Sequence, residues 1–124
     1  MNWETLSIDS YSSAQELYQL KRWRSCTSRA YYSAYAAIAH ALPTGIAFPH
    51  GWLNPGHHQL PDLVRQLARL TPTERKDVRA SLNLLRRRRE DADYRPAQRT
   101  SCLEAHESLT RARAVLQTLG VPIP

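Results

Sequence analysis

Residues 25–42, Ser25-Cys26-Thr27-Ser28-Arg29-Ala30-Tyr31-Tyr32-Ser33-Ala34-Tyr35-Ala36-Ala37-Ile38-Ala39-His40-Ala41-Leu42, decide the fold. Their spacing predicts one helix wrapped by two apolar stripes: a small one of Cys26, Ala30, Ala34, Ala37 and Ala41, and a large one of Tyr31, Tyr35, Ile38 and Leu42. A helix apolar over so much of its circumference needs neighbours on several sides, which makes it the central helix of a bundle. The small residues let one neighbour approach closely. Arg29 and Tyr32 fall on a third line that continues to Ala36 and Ala39 or His40, so this helix carries an arginine in a mostly apolar setting.

Upstream, after a short lead containing Trp3, Leu6 and Ile8, Asp9 or Ser10 is a good N-cap for a first helix. Ala14, Leu17 and Tyr18 give it an apolar stripe, and it ends around Lys21 to Trp23. Downstream, Pro43 stops the central helix. The connection Pro43 to Gly56 holds three prolines and three glycines, with Phe48 and Trp52 as its anchors. A third helix is expected from about His58 to Arg69, burying Leu60, Leu63, Val64, Leu67 and Leu70. Thr71-Pro72-Thr73-Glu74 then restarts the chain, with Thr71 as N-cap, Pro72 at the first helical position and Glu74 three residues after the cap.

The last helix runs from after Pro96 to about Leu119. Cys102, Ala105, Leu109, Ala112, Leu116 and Leu119 form a heptad-like seam along it, and Gly120 and Pro122 stop it. No strand-like alternation occurs, so the fold class is all-α, an up-and-down bundle of four or five helices. With 124 residues the chain is expected to form one domain over 1–124.

The fourth helix closes on the most chemically loaded stretch of the chain, Arg86-Arg87-Arg88-Arg89-Glu90-Asp91-Ala92-Asp93-Tyr94-Arg95-Pro96. Val78, Leu82 and Leu85 recur at steps of four and three, and the same rhythm lands on Arg89 and Ala92. Arg89 therefore faces inward, where a guanidinium needs a carboxylate, an interface partner or a ligand phosphate. Arg75, Arg79, Asn83, Arg86 and Glu90 form a separate stripe expected to face water. Arg87 lies between the two stripes and Arg88 flanks the apolar one.

The formal charge is +6, and of the 17 Lys and Arg residues only Lys21 and Lys76 are lysines. Arginine favours bidentate contact with phosphate or carboxylate, which points to a polyanionic partner. Cys26 and Cys102 have no metal or CxxC spacing and read as reduced core residues. No signal peptide or membrane-length apolar run is present, so a cytoplasmic protein without membrane attachment is expected. His50, His57 and His58 make a poor metal site, because neighbouring histidines cannot easily chelate one ion together. Phosphate-loop, dinucleotide and nucleophile-elbow motifs are absent, and Ser28, Ser33 and His40 do not make a catalytic set. No metal and no cofactor is expected.

What remains is Arg29 with Tyr32 on the central helix, and Arg89 with Asp93 and Tyr94 at the end of the fourth. Either Arg29 pairs with Asp93, or Arg89 with a buried hydroxyl or carboxylate, to pin the two helices together, or the group binds phosphate. The stretches Ser28-Arg29-Ala30-Tyr31-Tyr32-Ser33-Ala34-Tyr35 and Arg89-Glu90-Asp91-Ala92-Asp93-Tyr94 resemble the HEPN superfamily, in its branch of small stand-alone helical domains with an SRAYY helix and a later R-x-x-A-D-Y segment. The likeness covers roughly residues 10–117 and includes Ala14-Gln15-Glu16-Leu17-Tyr18.

The resemblance implies a helical bundle, homodimerisation, and pairing with a minimal nucleotidyltransferase as a toxin-antitoxin system. It also implies metal-independent ribonuclease activity from an arginine followed four to six residues later by a histidine at the dimer cleft. Arg89 matches that arginine. No histidine follows it at that spacing: Tyr94 stands there, and the next histidine is His106. Tyrosine, with a reference pKa of about 10, is a poor base for 2′-hydroxyl attack. By analogy with such pairs, Tyr94 is also a candidate acceptor of a nucleotidyl group. The catalytic expectation rests on Arg89, Asp93, Tyr94 and Arg29, and the RNA-binding expectation on Arg86, Arg87 and Arg88. The rival expectation is a non-catalytic dimeric adaptor for a nucleotidyltransferase partner, in which Arg29, Arg89 and Asp93 are structural.

Overall fold

The computed structural model describes residues 2–43 and 56–123, and the anchors Phe48 and Trp52 lie outside them. Among the described residues there are five helices and no strand: α1 (Trp3–Gln19), α2 (Trp23–Ala41), α3 (Leu60–Val64), α4 (Pro72–Tyr94) and α5 (Cys102–Thr118). α2 is the centre, packed on α1, α4 and α5. Both of its expected stripes are inside, with Cys26, Ala30, Tyr31, Ala34, Ala37 and Ile38 fully buried. Some polar groups caught between helices find partners, the Ser7 hydroxyl donating to the Ser33 carbonyl at 2.7 Å and Ser33 to the Ala30 carbonyl at 2.7 Å, whereas the buried Thr27 and Ser108 hydroxyls have none among the described residues.

Contacts at the helix ends fix the directions. His40, late in α2, meets Glu4, early in α1, at 3.3 Å. Ser28, early in α2, meets Asp93 at the end of α4, and Tyr18 at the end of α1 meets Cys102 at the start of α5. The four long helices therefore run alternately up and down. No helix among the described residues is long and apolar enough to cross a membrane.

Several boundaries differ from those expected. α1 opens at Trp3, because the Asn2 side chain caps it by accepting from the Thr5 amide at 2.8 Å; Asp9 and Ser10 lie inside the helix. The apolar lead is therefore its first turns. α3 is only five residues long. After Val64 the chain tightens into i→i+3 bonds, Arg65 to Asp62, Gln66 to Leu63 and Leu67 to Val64, which still bury Val64, Leu67 and Leu70.

α4 starts as its sequence dictates. The Thr71 hydroxyl accepts from the Glu74 amide at 3.1 Å while the Glu74 carboxylate accepts from the Thr71 amide at 2.8 Å. On α5, Ala105, Ala112, Leu116 and Leu119 are buried as the seam requires, but Cys102 is exposed and Ser108 and Val115 join the core. A straight helix drifts relative to a seven-residue repeat, so a heptad stripe leaves the interface towards its ends. Cys102 is therefore not a core residue; Cys26 is.

Candidate functional site

Arg89 is only 6% exposed, as the period of α4 demands. It is caged by tyrosines: its guanidinium carbon lies 5.1, 5.9 and 5.4 Å from the ring centroids of Tyr31, Tyr32 and Tyr94. Ring faces are negative, so this cage solvates a cation that has left water. One terminal nitrogen donates to the Tyr94 hydroxyl at 3.3 Å and stands 4.0 Å from the Asp93 carboxylate. Its Nε is buried with no hydrogen-bond partner among the described residues.

The same Asp93 oxygen, Oδ2, accepts from the Ser28 hydroxyl at 3.1 Å. This corrects the expected pairing of Arg29 with Asp93. Arg29 is exposed, stacks over Tyr32 at 4.9 Å, and has no carboxylate within salt-bridge distance among the described residues. The helix period decides this, since Asp93 follows Arg89 by four residues on the same helix and reaches its guanidinium without crossing the groove. Tyr94 is 70% exposed beyond Arg89.

The four-arginine run is largely neutralised within the chain. Arg86 Nε contacts Glu90 at 3.1 Å, and Arg88 reaches Glu104 and Glu107 of α5 at 3.1 and 3.2 Å. Arg87 alone of the four is exposed and has no ion-pair partner among the described residues. The stripe expected to face water is half-turned from it: Arg75 donates to the Leu67 and Leu70 carbonyls, and Arg79 and Arg86 are half-buried.

Unpaired arginines lie instead along the open face of α2. Arg22, Ser25, Arg29 and Tyr32 follow one another at steps of three, four and three, about 15 Å of helix. Three cavities succeed one another along this line. Arg22, Trp23, Arg99 and Thr100 line the first, of about 390 Å³; Ser28, Arg29, Asp93 and Tyr94 the second, of about 760 Å³. The two share Arg24 and Ser25, and Arg29 links the second to a third beside α1. Arg22 and Arg99, like Arg29, have no carboxylate partner among the described residues, so this groove, whose lining includes one carboxylate, Asp93 beside Arg89, carries a net positive charge.

Its wall is held by Arg24, which the sequence reading did not single out. The Arg24 guanidinium donates to the carbonyls of Asp91, Ala92, Arg95, Pro96 and Gln98, capping the open end of α4 and fixing the turn after it. Helix C-termini expose carbonyls with no internal partner and carry partial negative charge, so a cation is favoured there. Asp93 and Tyr94 owe their positions to this clamp. A contact spanning 65 or more residues leaves no local pattern to find.

Also outside the sequence reading is the contact between the Tyr31 hydroxyl and His57 Nδ1, at 2.6 Å. The His57 ring also packs on Tyr35, centroid to centroid at 4.9 Å. Burial first, then the charges of Arg89, Arg86 and His58, hold the His57 pKa below its ordinary value, while Glu90 opposes them. Burial pushes the Tyr31 phenol well above its own ordinary value. Around pH 7 the pair is a neutral phenol on a neutral imidazole. No group of three or more His, Cys, Asp or Glu among the described residues could hold a metal ion, and His50 lies outside them.

Neither the curated proteins nor the solved structures contain a significant match to this chain. The family model described as HEPN domain matches residues 3–121. That span takes in the central helix, the Arg89 cage and both ends of the groove. On that match, this helical chain belongs to the HEPN domain family.

Proposed function

We propose that this protein is a cytoplasmic, homodimeric RNA-binding protein that holds a single strand along the open face of α2. The observation that carries this reading is the groove in which Arg22, Arg29 and Arg99 stand without carboxylate partners. Phosphate contacts supply most of the affinity in such complexes and need unneutralised cations. Exposed Arg87 adds to them. Arg86 and Arg88 must first release their own carboxylates and so contribute less. Family membership supports a nucleic-acid-related role in general terms.

The finer reading is metal-independent cleavage, in the setting of a toxin paired with a minimal nucleotidyltransferase. Two copies of the Arg89 segment would share a cleft at the dimer axis. Attack by a 2′-hydroxyl needs a cation for the phosphorane charge and a base near neutrality. Arg89 offers a buried, unpartnered Nε–H for the first. His57, neutral around pH 7 and one tyrosine ring away from Arg89, suits proton transfer better than Tyr94 does.

The adaptor reading is favoured by one specific observation, the closure of three tyrosine rings over Arg89. Incubating the purified protein with mixed cellular RNA, with and without EDTA, separates the two. Cleavage that persists in EDTA and leaves 2′,3′-cyclic phosphate ends is the enzyme result. Arg89→Ala then abolishes it with most RNA binding intact, and Tyr94→Phe impairs it if the phenol shares in proton transfer. Arg89→Lys, which keeps the charge but loses the planar fork, controls for misfolding of the alanine variant. RNA bound but not cut removes the cleavage reading and keeps RNA binding, and no RNA bound by the wild type overturns the RNA proposal and leaves the nucleotidyltransferase adaptor.

A further inference from the structure

The end of the groove beside α1 has a chemistry that the rest of it lacks. Trp3, Leu6 and Ser10 of α1 and Arg29, Tyr32 and Tyr35 of α2 line a cavity of about 320 Å³. Trp3 meets Tyr35 edge-on at 5.9 Å, and Tyr32 meets Tyr35 edge-on at 6.4 Å, so the aromatic walls stand at steep angles to one another. Leu6 is 37% exposed within it. Arg29 stands at the mouth, its guanidinium over Tyr32, shared between this cavity and the one containing Asp93 and Tyr94. An apolar cleft left open to water next to an unneutralised guanidinium suits a ligand with a flat apolar ring and an attached anion.

We propose that this cleft is a nucleobase subsite. It takes one unstacked base of a single strand against the Trp3 ring, beside the edges of Tyr32 and Tyr35, with the adjoining phosphate on Arg29. This deepens the RNA-binding reading and rests on it. The cavity is at the small end of ligand pockets, large enough for one nucleoside and too small for a stacked duplex. Aromatic walls accept the face of any base, so the subsite selects for single-strandedness and, through stacking area, for purines over pyrimidines. The Ser10 hydroxyl, unpartnered among the described residues, lies in the lining for one hydrogen bond to a base edge. A second copy of the chain is a worse occupant, because symmetric contact here would bring two unneutralised Arg29 guanidinium groups together.

The test uses adenosine monophosphate as the probe, titrated into the intact protein while the Trp3 indole N–H is followed by two-dimensional NMR. The expected result is a saturable shift of that signal. Adenosine and ribose 5-phosphate should each bind about tenfold more weakly or worse, since each lacks one half of the ligand. Read by isothermal titration calorimetry, since the first variant lacks the indole, Trp3→Leu should weaken the nucleotide about tenfold, and Arg29→Gln should make the nucleotide bind no better than adenosine. Binding of ribose 5-phosphate as tight as the nucleotide, or nucleotide binding indifferent to both substitutions, overturns the subsite. A Trp3 signal that moves with protein concentration and not with nucleotide also overturns it, by placing a second copy in the cleft. A single-stranded decamer, measured alongside, keeps the two readings apart. Decamer binding that Trp3→Leu leaves unchanged removes the subsite and spares the RNA reading; nucleotide in the cleft with no decamer bound does the reverse.

Discussion

At the scale of single residues, charge state and partner decide the site more than residue type does. The chain carries 15 arginines by subtraction of its two lysines from 17 basic residues, and neighbours divide them into clamps, caged cations and free cations. Arg24 is a clamp. Replacing it with lysine keeps the charge but cannot span five carbonyls, so Arg24→Lys should lose about 1–3 kcal/mol of stability, read by thermal denaturation. Faster amide exchange in residues 95–98 should accompany the loss. Inward-facing Arg89 was legible from the rhythm of Val78, Leu82 and Leu85, because a helix period carries burial information. The partners of Arg24, Arg29 and His57 were not, because they depend on which helix ends meet.

His57 gives the clearest pH signature. Folding makes its imidazole harder to protonate, so as pH falls the unfolded chain takes up more protons at this group than the folded one. Its contribution is complete above the ordinary histidine value of about 6.5 and is lost as pH drops through that value, levelling off below the depressed folded pKa. Tyr31, Tyr32 and Tyr35 of α2 and Arg86, Arg89 and Glu90 of α4 surround it, with His58 beside it in the chain, and only Glu90 favours its charging. His57→Gln should therefore show a smaller fall in melting temperature between pH 7 and pH 5 than the wild type. An equal fall in both would show that His57 does not titrate in this cluster.

At the scale of elements, α1 and α5 end in the same way with different residues. Arg22 bonds back to the Leu17 carbonyl and Lys21 to Tyr18; Val121 bonds back to Leu116 and Gly120 to Gln117. Each motif needs one left-handed residue, Gly120 at φ 75° and Lys21 at φ 60°. A side chain there costs about 1 kcal/mol. A Cβ on Gly120 would meet nothing within 4 Å, so Gly120→Ala should lose about that amount through backbone conformation alone. Lys21→Gly should gain several tenths of a kcal/mol, less than the full amount because glycine also loosens the unfolded chain. Melting curves of the two variants should move in opposite directions.

The elements also show where a sequence stops being readable. Thr71 and Glu74 announced the start of α4 because a capping box is a local bond pattern. Asn2, Asp9 and Ser10 are equally good caps as residues; what separates them is that Trp3 and Ile8 pack onto the core from helical positions. The length of α3 was overstated for a related reason. Apolar spacing fits tight i→i+3 turns almost as well as α-helix over two turns.

At the scale of the whole molecule, the central claim is that RNA is held by the free arginines of the α2 groove, with Arg87 adding to them, and not by the paired Arg86 and Arg88 of α4. Homodimerisation is the first check on assembly. Light scattering at micromolar concentration should give twice the mass of the 14.2 kDa chain, and a monomer there would remove the shared Arg89 cleft while leaving the α2 groove in place. The groove itself was invisible in the sequence because its walls come from α1, α2 and the turn after α4. Only the stripe Arg22, Ser25, Arg29, Tyr32 was there to be read, and a stripe alone does not say whether a neighbouring helix covers it.

The most direct measurement is the salt dependence of single-stranded RNA binding in three proteins: the wild type, Arg22→Gln/Arg29→Gln/Arg99→Gln, and Lys76→Gln/Arg111→Gln/Arg113→Gln. The two variants lose the same charge, and all six positions are exposed. Each phosphate contact contributes about 0.7 to the slope of log affinity against log salt for a single strand, so the groove variant should lose about 2 from that slope while the second variant keeps the wild-type value. An unchanged slope in the groove variant, or an equal drop in both, would contradict the account and leave net charge, not the α2 groove, as the basis of binding.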